Sequence, residues 1–195
     1  MNKRSGIESR KKIIQAAMEV FSRRGYAQAN IRDIAGKAGL SVGGVYLYFK
    51  NKEELYKSLI HDRMDEIGGK VSLAIEHSVS APEALGRFLR LHMENALRHR
   101  EFILLHIREH GFAFGRKEKR DFFRGQKRLV ESIIKKGIDT GEFRKCDAKK
   151  MSDMVMGSLR GIVLAMALDG DEVEPEALSD FMLRGILKRE RGTDI

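Results

Sequence analysis

The stretch IRDIAGKAGLSVGGVYLYFKNKEEL, residues 31–55, puts two adjacent glycines and two tyrosines among residues that otherwise read as short helices. Asn30 is a good N-cap for a helix IRDIAGKA, with Asp33 at N3 in the favourable end of the dipole. Ile31, Ile34, Ala35 and Ala38 face inward, and Gly39 stops the helix after about two turns. Ser41 caps a second short helix over 42–49. Asn51 caps the next, and Glu54 three residues later makes a variant of the capping box. Two short helices joined by a glycine-containing turn form a helix-turn-helix, whose second helix enters the major groove of DNA. Here that helix carries Tyr46 and Tyr48, whose hydroxyls suit phosphate oxygens, while Val45, Leu47 and Phe49 are expected on the packing side. Gly43 and Gly44 each cost about 1 kcal/mol against Ala in a helix. Without side chains they let the helix start approach the duplex, where its N–H groups and dipole favour phosphate.

The surroundings agree with a polyanion-binding head. Of the formal net charge of +9, residues 1–60 hold 12 Lys+Arg against 5 Asp+Glu (+7), and the other 135 hold 25 against 23 (+2). A basic module on a nearly neutral larger one points to DNA binding joined to a second job. The first nine residues read as a tail. Residues 10–24 then place Ile13, Ile14, Ala17, Met18 and Phe21 on one helical face, with Gly25 as a stop. The single Cys146 excludes an internal disulfide framework and fits a reducing, cytoplasmic setting. No secretory leader is read at the N-terminus, and no apolar run approaches membrane-spanning length, the longest lying around Gly161–Leu168. Two prolines and an abundance of helix formers predict an all-α protein of about nine helices.

Residues 10–60, through IIQAAMEVFSRRGYAQANIRDIAGKAGLSVGGVYLYFKNKEELY, resemble the DNA-binding domain of the TetR family of transcriptional regulators. The resemblance implies a helix-turn-helix head over 1–60 and a helical effector-binding and dimerisation domain over 61–195. It implies a homodimer on a palindromic double-stranded operator, with no cofactor and no membrane partner. By position, the family's DNA contacts fall on Arg32, Ser41, Val42, Gly43, Gly44, Tyr46, Tyr48 and Lys52. One departure is Ala29-Asn30 before the second helix, where Thr or Ser is more frequent.

The body reads as further helices: Pro82 to His99, Glu101 to Phe114, Lys117 to about Thr140 ending in GEFR, Asp147 to about Leu168, and Pro175 to about Arg191. A stripe of Met151, Met154, Val155, Ser158, Ile162 and Ala165, beside Gly157 and Gly161, is expected to meet a second copy. Phe181, Met182, Gly185 and Ile186 supply a matching stripe. Aromatic crowding suggests an effector pocket lined by Phe88, Leu91, Asn95, Phe102, Leu105, Phe112, Phe122, Phe123 and Met154, for a largely apolar small molecule. Arg108 or Arg160 is available to an acidic group.

One catalytic-looking string competes. His106-Ile107-Arg108-Glu109-His110 reads H-x-x-E-H, in which two histidines at i and i+4 share a face and can hold zinc. That would make a zinc-dependent hydrolase or a metal-responsive regulator. Neither a supporting carboxylate signature nor a Ser/His/Asp set, phosphate loop or dinucleotide fingerprint accompanies it. The reading is therefore a regulator rather than an enzyme, with no metal site assigned.

Overall fold

The computed structural model describes residues 3–108, 116–170 and 173–188. Among them are nine helices and no strand: α1 Lys3–Gln28, α2 Ile31–Ala38, α3 Val42–Tyr46, α4 Lys52–Glu76, α5 Ala81–Arg98, α6 Arg100–Arg108, α7 Arg116–Asp139, α8 Ala148–Asp169 and α9 Pro175–Ile186. The chain forms two compact units, Met1–Asp65 with Arg100–Lys119, and Glu66–His99 with Arg120–Ile195. This differs from a single cut after residue 60, because the segment 100–119 belongs with the head.

In the first unit, α1 starts at Lys3, so the polar stretch read as a tail is helical. Its few apolar residues hide it from a periodicity search. Gly25 breaks the helical path with φ 73°, conformational space that L-residues with a Cβ rarely enter. α1 packs on α2 and α6. Phe21, Tyr26 and Tyr56 make a mutual aromatic cluster with ring centroids 5.1–5.7 Å apart. Ile13, Ile34, Val45, Phe49, Leu55 and Leu59 complete the buried core.

The second unit is built on α5, which packs against α8 and α9. Ser80 Oγ caps α5 by accepting from Glu83 N, and the Glu83 carboxylate returns a bond to Val79 N, which lowers its pKa. Leu85, Phe88, Leu89, Met93, Val130, Ile134, Val155 and Leu159 are buried in one core. Each such side chain contributes about 1.5–3 kcal/mol by leaving water. At the end of α7, Gly141 turns the chain (φ 77°) and Phe143 folds back onto Gly137, its N–H donating to Gly137 O at 2.8 Å. Asp147 caps α8 by accepting from Lys150 N, a bond that also lowers its pKa.

α8 corrects one expectation. By length and composition alone it is long and apolar enough to cross a membrane, with mean hydropathy 1.4 over 18 residues. Scanning for uninterrupted apolar runs misses it, because Asp153 and Arg160 divide the sequence. Its apolar side, Val155, Met156, Leu159 and Met166, lies in the core of the second unit.

Candidate DNA-binding and effector sites

The helix-turn-helix is assembled from caps. Asn30 Oδ1 accepts from Asp33 N at 2.8 Å to start α2. Gly39, at φ 68°, ends it and sends Leu40 N back to Ala35 O at 2.9 Å. Ser41 Oγ then accepts from Gly44 N at 3.0 Å to start α3. Val45 and Phe49 anchor this segment in the core, while Ser41, Val42, Gly43 and Tyr46 are exposed and Gly44 and Tyr48 half-buried. α3 is shorter than the 42–49 expected, since Leu47 and Tyr48 form a turn. Leu47 is 76% exposed and does not pack inward as expected. Apolar character alone does not say which way a side chain on so short a helix points.

The two glycines separate in role. A Cβ on Gly44 would stand 3.3 Å from Ser41 Oγ and 3.6 Å from Leu40 Cβ, so its smallness protects the cap. A Cβ on Gly43 would find only Ser41 Oγ at 3.9 Å, so that face is open. Arg32 is exposed on α2. Four other cations of this unit are paired: Arg10 with Asp62 at 2.7 Å, Lys37 with Glu19 at 2.6 Å, Lys57 with Glu53 at 2.6 Å, and Arg24 with Asp33.

Lys52 is placed differently from a lysine free to reach phosphate. Its Nζ donates to Tyr26 O at 2.8 Å, Ala27 O at 3.3 Å and Ala29 O at 2.8 Å, and lies 4.5 Å from the Tyr26 ring centroid. An ammonium has three hydrogens, and three carbonyls take them. Those carbonyls close α1, where unpaired C=O groups and the negative dipole end collect. The ammonium thus ties the start of α4 to the end of α1.

Of the expected pocket residues, Phe88 is buried, and Leu91, Asn95, Phe122 and Phe123 are half-buried, all in the second unit. Phe102 and Leu105 are buried in the first unit on α6. Phe112 lies outside the described residues, as do Phe114, Glu109 and His110. The H-x-x-E-H reading therefore has no described geometry, and among the described residues no cluster of three His, Cys, Asp or Glu could hold a metal. Met154 is 63% exposed and does not line the core. The outward face of α8 is Met154, Gly157, Gly161, Leu164, Ala165 and Leu168. Val155, counted in the expected stripe, is one helical step away and buried.

Two residues outside the expected set lie among the aromatic side chains of the second unit. His92 Nε2 and Gln126 Oε1 are 3.2 Å apart, bridging α5 and α7. The His92 ring lies 4.5 Å from Phe88 and 6.5 Å from Phe122. Burial pushes its pKa down to about 4, the Gln126 bond opposing this. Arg160 stacks 4.1 Å above the Phe123 ring, and desolvation lowers its pKa. His92 was visible as the polar member of the α5 apolar face. Gln126 was visible only as a glutamine four residues before Val130 on the inward side of α7.

The sequence matches two family models: bacterial regulatory proteins of the tetR family over residues 13–59, and the tetracyclin repressor-like C-terminal domain over 78–188. The fatty acid metabolism regulator protein of Bacillus subtilis (strain 168) is 27% identical over 175 residues, covering 88% of this chain and 90% of that one. The solved structure of the transcriptional regulator FadR from Bacillus subtilis in complex with stearoyl-CoA superposes with a TM-score of 0.77 at 26% identity, covering 89% of this chain and 95% of that one. A putative fatty acid metabolism regulator from Clostridium perfringens gives 0.73 at 26% identity, with 91% and 100% covered. These relatives are named as regulators, and none of them supports the hydrolase alternative. With its capped helix-turn-helix, its all-helical body and a C-terminal family model that spans more than half of its length, the chain belongs to the TetR family of bacterial transcriptional regulators.

Proposed function

We propose that this DNA-binding regulator is a repressor that leaves its operator when a long-chain acyl thioester occupies its helical body. The carrying observation is the likeness, over 89% of the chain, to a regulator bound to stearoyl-CoA. Phe88, Phe122, Phe123 and Leu91 supply the apolar lining such a chain needs. On the DNA side, Val42, Gly43, Tyr46 and Leu47 stand outward for the major groove, and Arg32, Ser41, Gly44 and Tyr48 flank them. Lys52 serves this surface by holding α4 in place.

The protein works as a cytoplasmic homodimer and does no catalysis. The exposed faces of α8 and α9, with Met154, Leu168 and Phe181, support pairing with a second copy, since a monomer gains nothing by wetting them. Effector binding acts by tilting α4, the helix that starts at the head, and so changes the spacing of the two recognition helices. DNA requires about 34 Å or a multiple of it. Selection from randomised duplexes, followed by titration of the selected complex with myristoyl-CoA, tests this reading. A palindromic site released by micromolar myristoyl-CoA supports it. Failure of myristoyl-CoA to release a selected site refutes the acyl effector.

A further inference from the structure

Arg160 of α8 lays its guanidinium over the Phe123 ring of α7, 4.1 Å from the centroid, and makes no hydrogen bond or ion pair among the described residues. Desolvation is the one cause acting on its pKa, so no described carboxylate stands near enough to offset its charge. Its neighbours three and four residues away on α8 are Met156, Gly157, Val163 and Leu164, none of them acidic. The acid on the adjoining turns of α8, Asp153, is taken by Lys127. A ring holds this cation where an acid would otherwise do so, and stacking leaves its N–H edge available to a ligand.

A second cation stands beside the first. Arg120 is three residues before Phe123, so the two share a face of α7, with Cβ atoms about 5–6 Å apart. The residues three and four away from Arg120 on the same helix are Arg116, Lys117, Phe123 and Arg124, and it too makes no ion pair among the described residues. Inward from Phe123 the surroundings turn apolar. Phe122 lies 5.4 Å from Phe123, His92 6.5 Å from Phe122, and the fully buried Phe88 4.5 Å from His92. Burial keeps His92 neutral across the physiological range. A cationic outer end that leads to an uncharged aromatic interior complements an amphiphile, an anionic group joined to an apolar chain.

We propose that Arg160, assisted by Arg120, is the anion anchor of the effector site and binds an oxyanion at the polar end of the acyl ligand. This rests on the acyl reading above. The oxyanion is a phosphate of a coenzyme A thioester or the carboxylate of a free fatty acid, and a guanidinium offers both the same paired N–H donors.

The test uses the full chain and three probes of equal acyl length: myristoyl-CoA, myristate, and the neutral thioester S-myristoyl-N-acetylcysteamine. Wild type should bind at least one anionic probe about tenfold or more tightly than the neutral one, with an affinity that falls as salt rises. Arg160→Met keeps an aliphatic stem over Phe123 and deletes the charge. It should lose most of that preference and of the salt dependence, leave the neutral probe unchanged, and keep wild-type DNA binding. Arg160→Lys should restore part of the preference, and Arg160→Met combined with Arg120→Gln should bind anionic and neutral probes alike. A loss confined to myristoyl-CoA assigns the phosphates and a loss confined to myristate assigns the carboxylate, and either supports the anchor. A wild type without the preference, or an Arg160→Met variant that retains it in full, overturns the inference and leaves the acyl reading standing. Wild type that binds none of the three probes overturns the acyl reading and the inference with it.

Discussion

Replacing Lys52 by Met keeps the aliphatic stem and deletes the ammonium. Three hydrogen bonds are lost, to Tyr26 O, Ala27 O and Ala29 O, together with the cation over the Tyr26 ring. A bond to a charged group is worth about 1.5–3 kcal/mol where water cannot replace it. The Ala27 bond is exposed and counts for little, while the other two are part-buried and partly recoverable by water. The expected cost is about 2 kcal/mol, borne by the head. The protein supplies its own reporter: all four tyrosines lie within residues 26–56 and there is no tryptophan, so intrinsic fluorescence reads the head alone. Urea unfolding followed by tyrosine emission should shift to a lower midpoint with the slope m unchanged. The dependence of DNA affinity on salt should stay as it was, because no phosphate contact is removed. A loss of about 0.9 in the log–log salt slope, with tyrosine-monitored stability intact, would refute the strut and restore a phosphate contact.

Gly137→Ala would set a Cβ 2.2, 2.6 and 2.8 Å from carbons of the Phe143 ring, which is 2% exposed and tethered by its own main-chain bond to Gly137. It should cost about 3 kcal/mol in a thermal melt, whereas Gly125→Ala in the same helix, with nothing within 4 Å, should stabilise by up to about 1 kcal/mol. His92, with its folded pKa lowered from 6.5 to about 4, contributes stability that is complete above pH 6.5 and is lost as pH falls toward 4, because only the unfolded chain takes up the proton there. The loss amounts to up to about 3 kcal/mol, and denaturant midpoints of His92→Gln should vary less than those of wild type between pH 6.5 and 5.5, above the range in which protonation of Glu83 and Asp147, both with lowered pKa values, begins to cost stability. Phe181→Glu combined with Met154→Glu should give a folded monomer by light scattering, with operator affinity reduced by a hundredfold or more; Phe181 is 72% exposed, so the folded chain loses no core.

Much of the head is legible in sequence because its geometry is local. Asn30, Ser41 and Asn51 each accept from the N–H three residues on, as their spacing requires. Family resemblance named eight DNA contacts there, of which Arg32, Ser41, Val42, Gly43 and Tyr46 are exposed, Gly44 and Tyr48 half-buried, and Lys52 bound to main-chain carbonyls. Faces were harder. Val155 and Met154 are neighbours in sequence and about 100° apart on the helix, so one belongs to the core and the other to the surface, and composition treats them alike. Leu47 failed for the same reason. The pairing of His92 with Gln126 spans 34 residues and two helices. The three carbonyls that hold Lys52 come from the backbone, which carries no side-chain signal at all. Tertiary contacts of these two kinds decide which polar groups remain available to a ligand or to DNA.

The central claim is that the body's ligand and the head's DNA compete through one conformational equilibrium. Calorimetric titration of myristoyl-CoA into the protein, with and without a saturating amount of the selected operator duplex, tests it most directly. Coupling is reciprocal, so operator must weaken myristoyl-CoA binding by the same factor by which myristoyl-CoA weakens operator binding, five- to 150-fold being roughly the usual range. Equal affinities in the two titrations would show that head and body are uncoupled and would contradict the account.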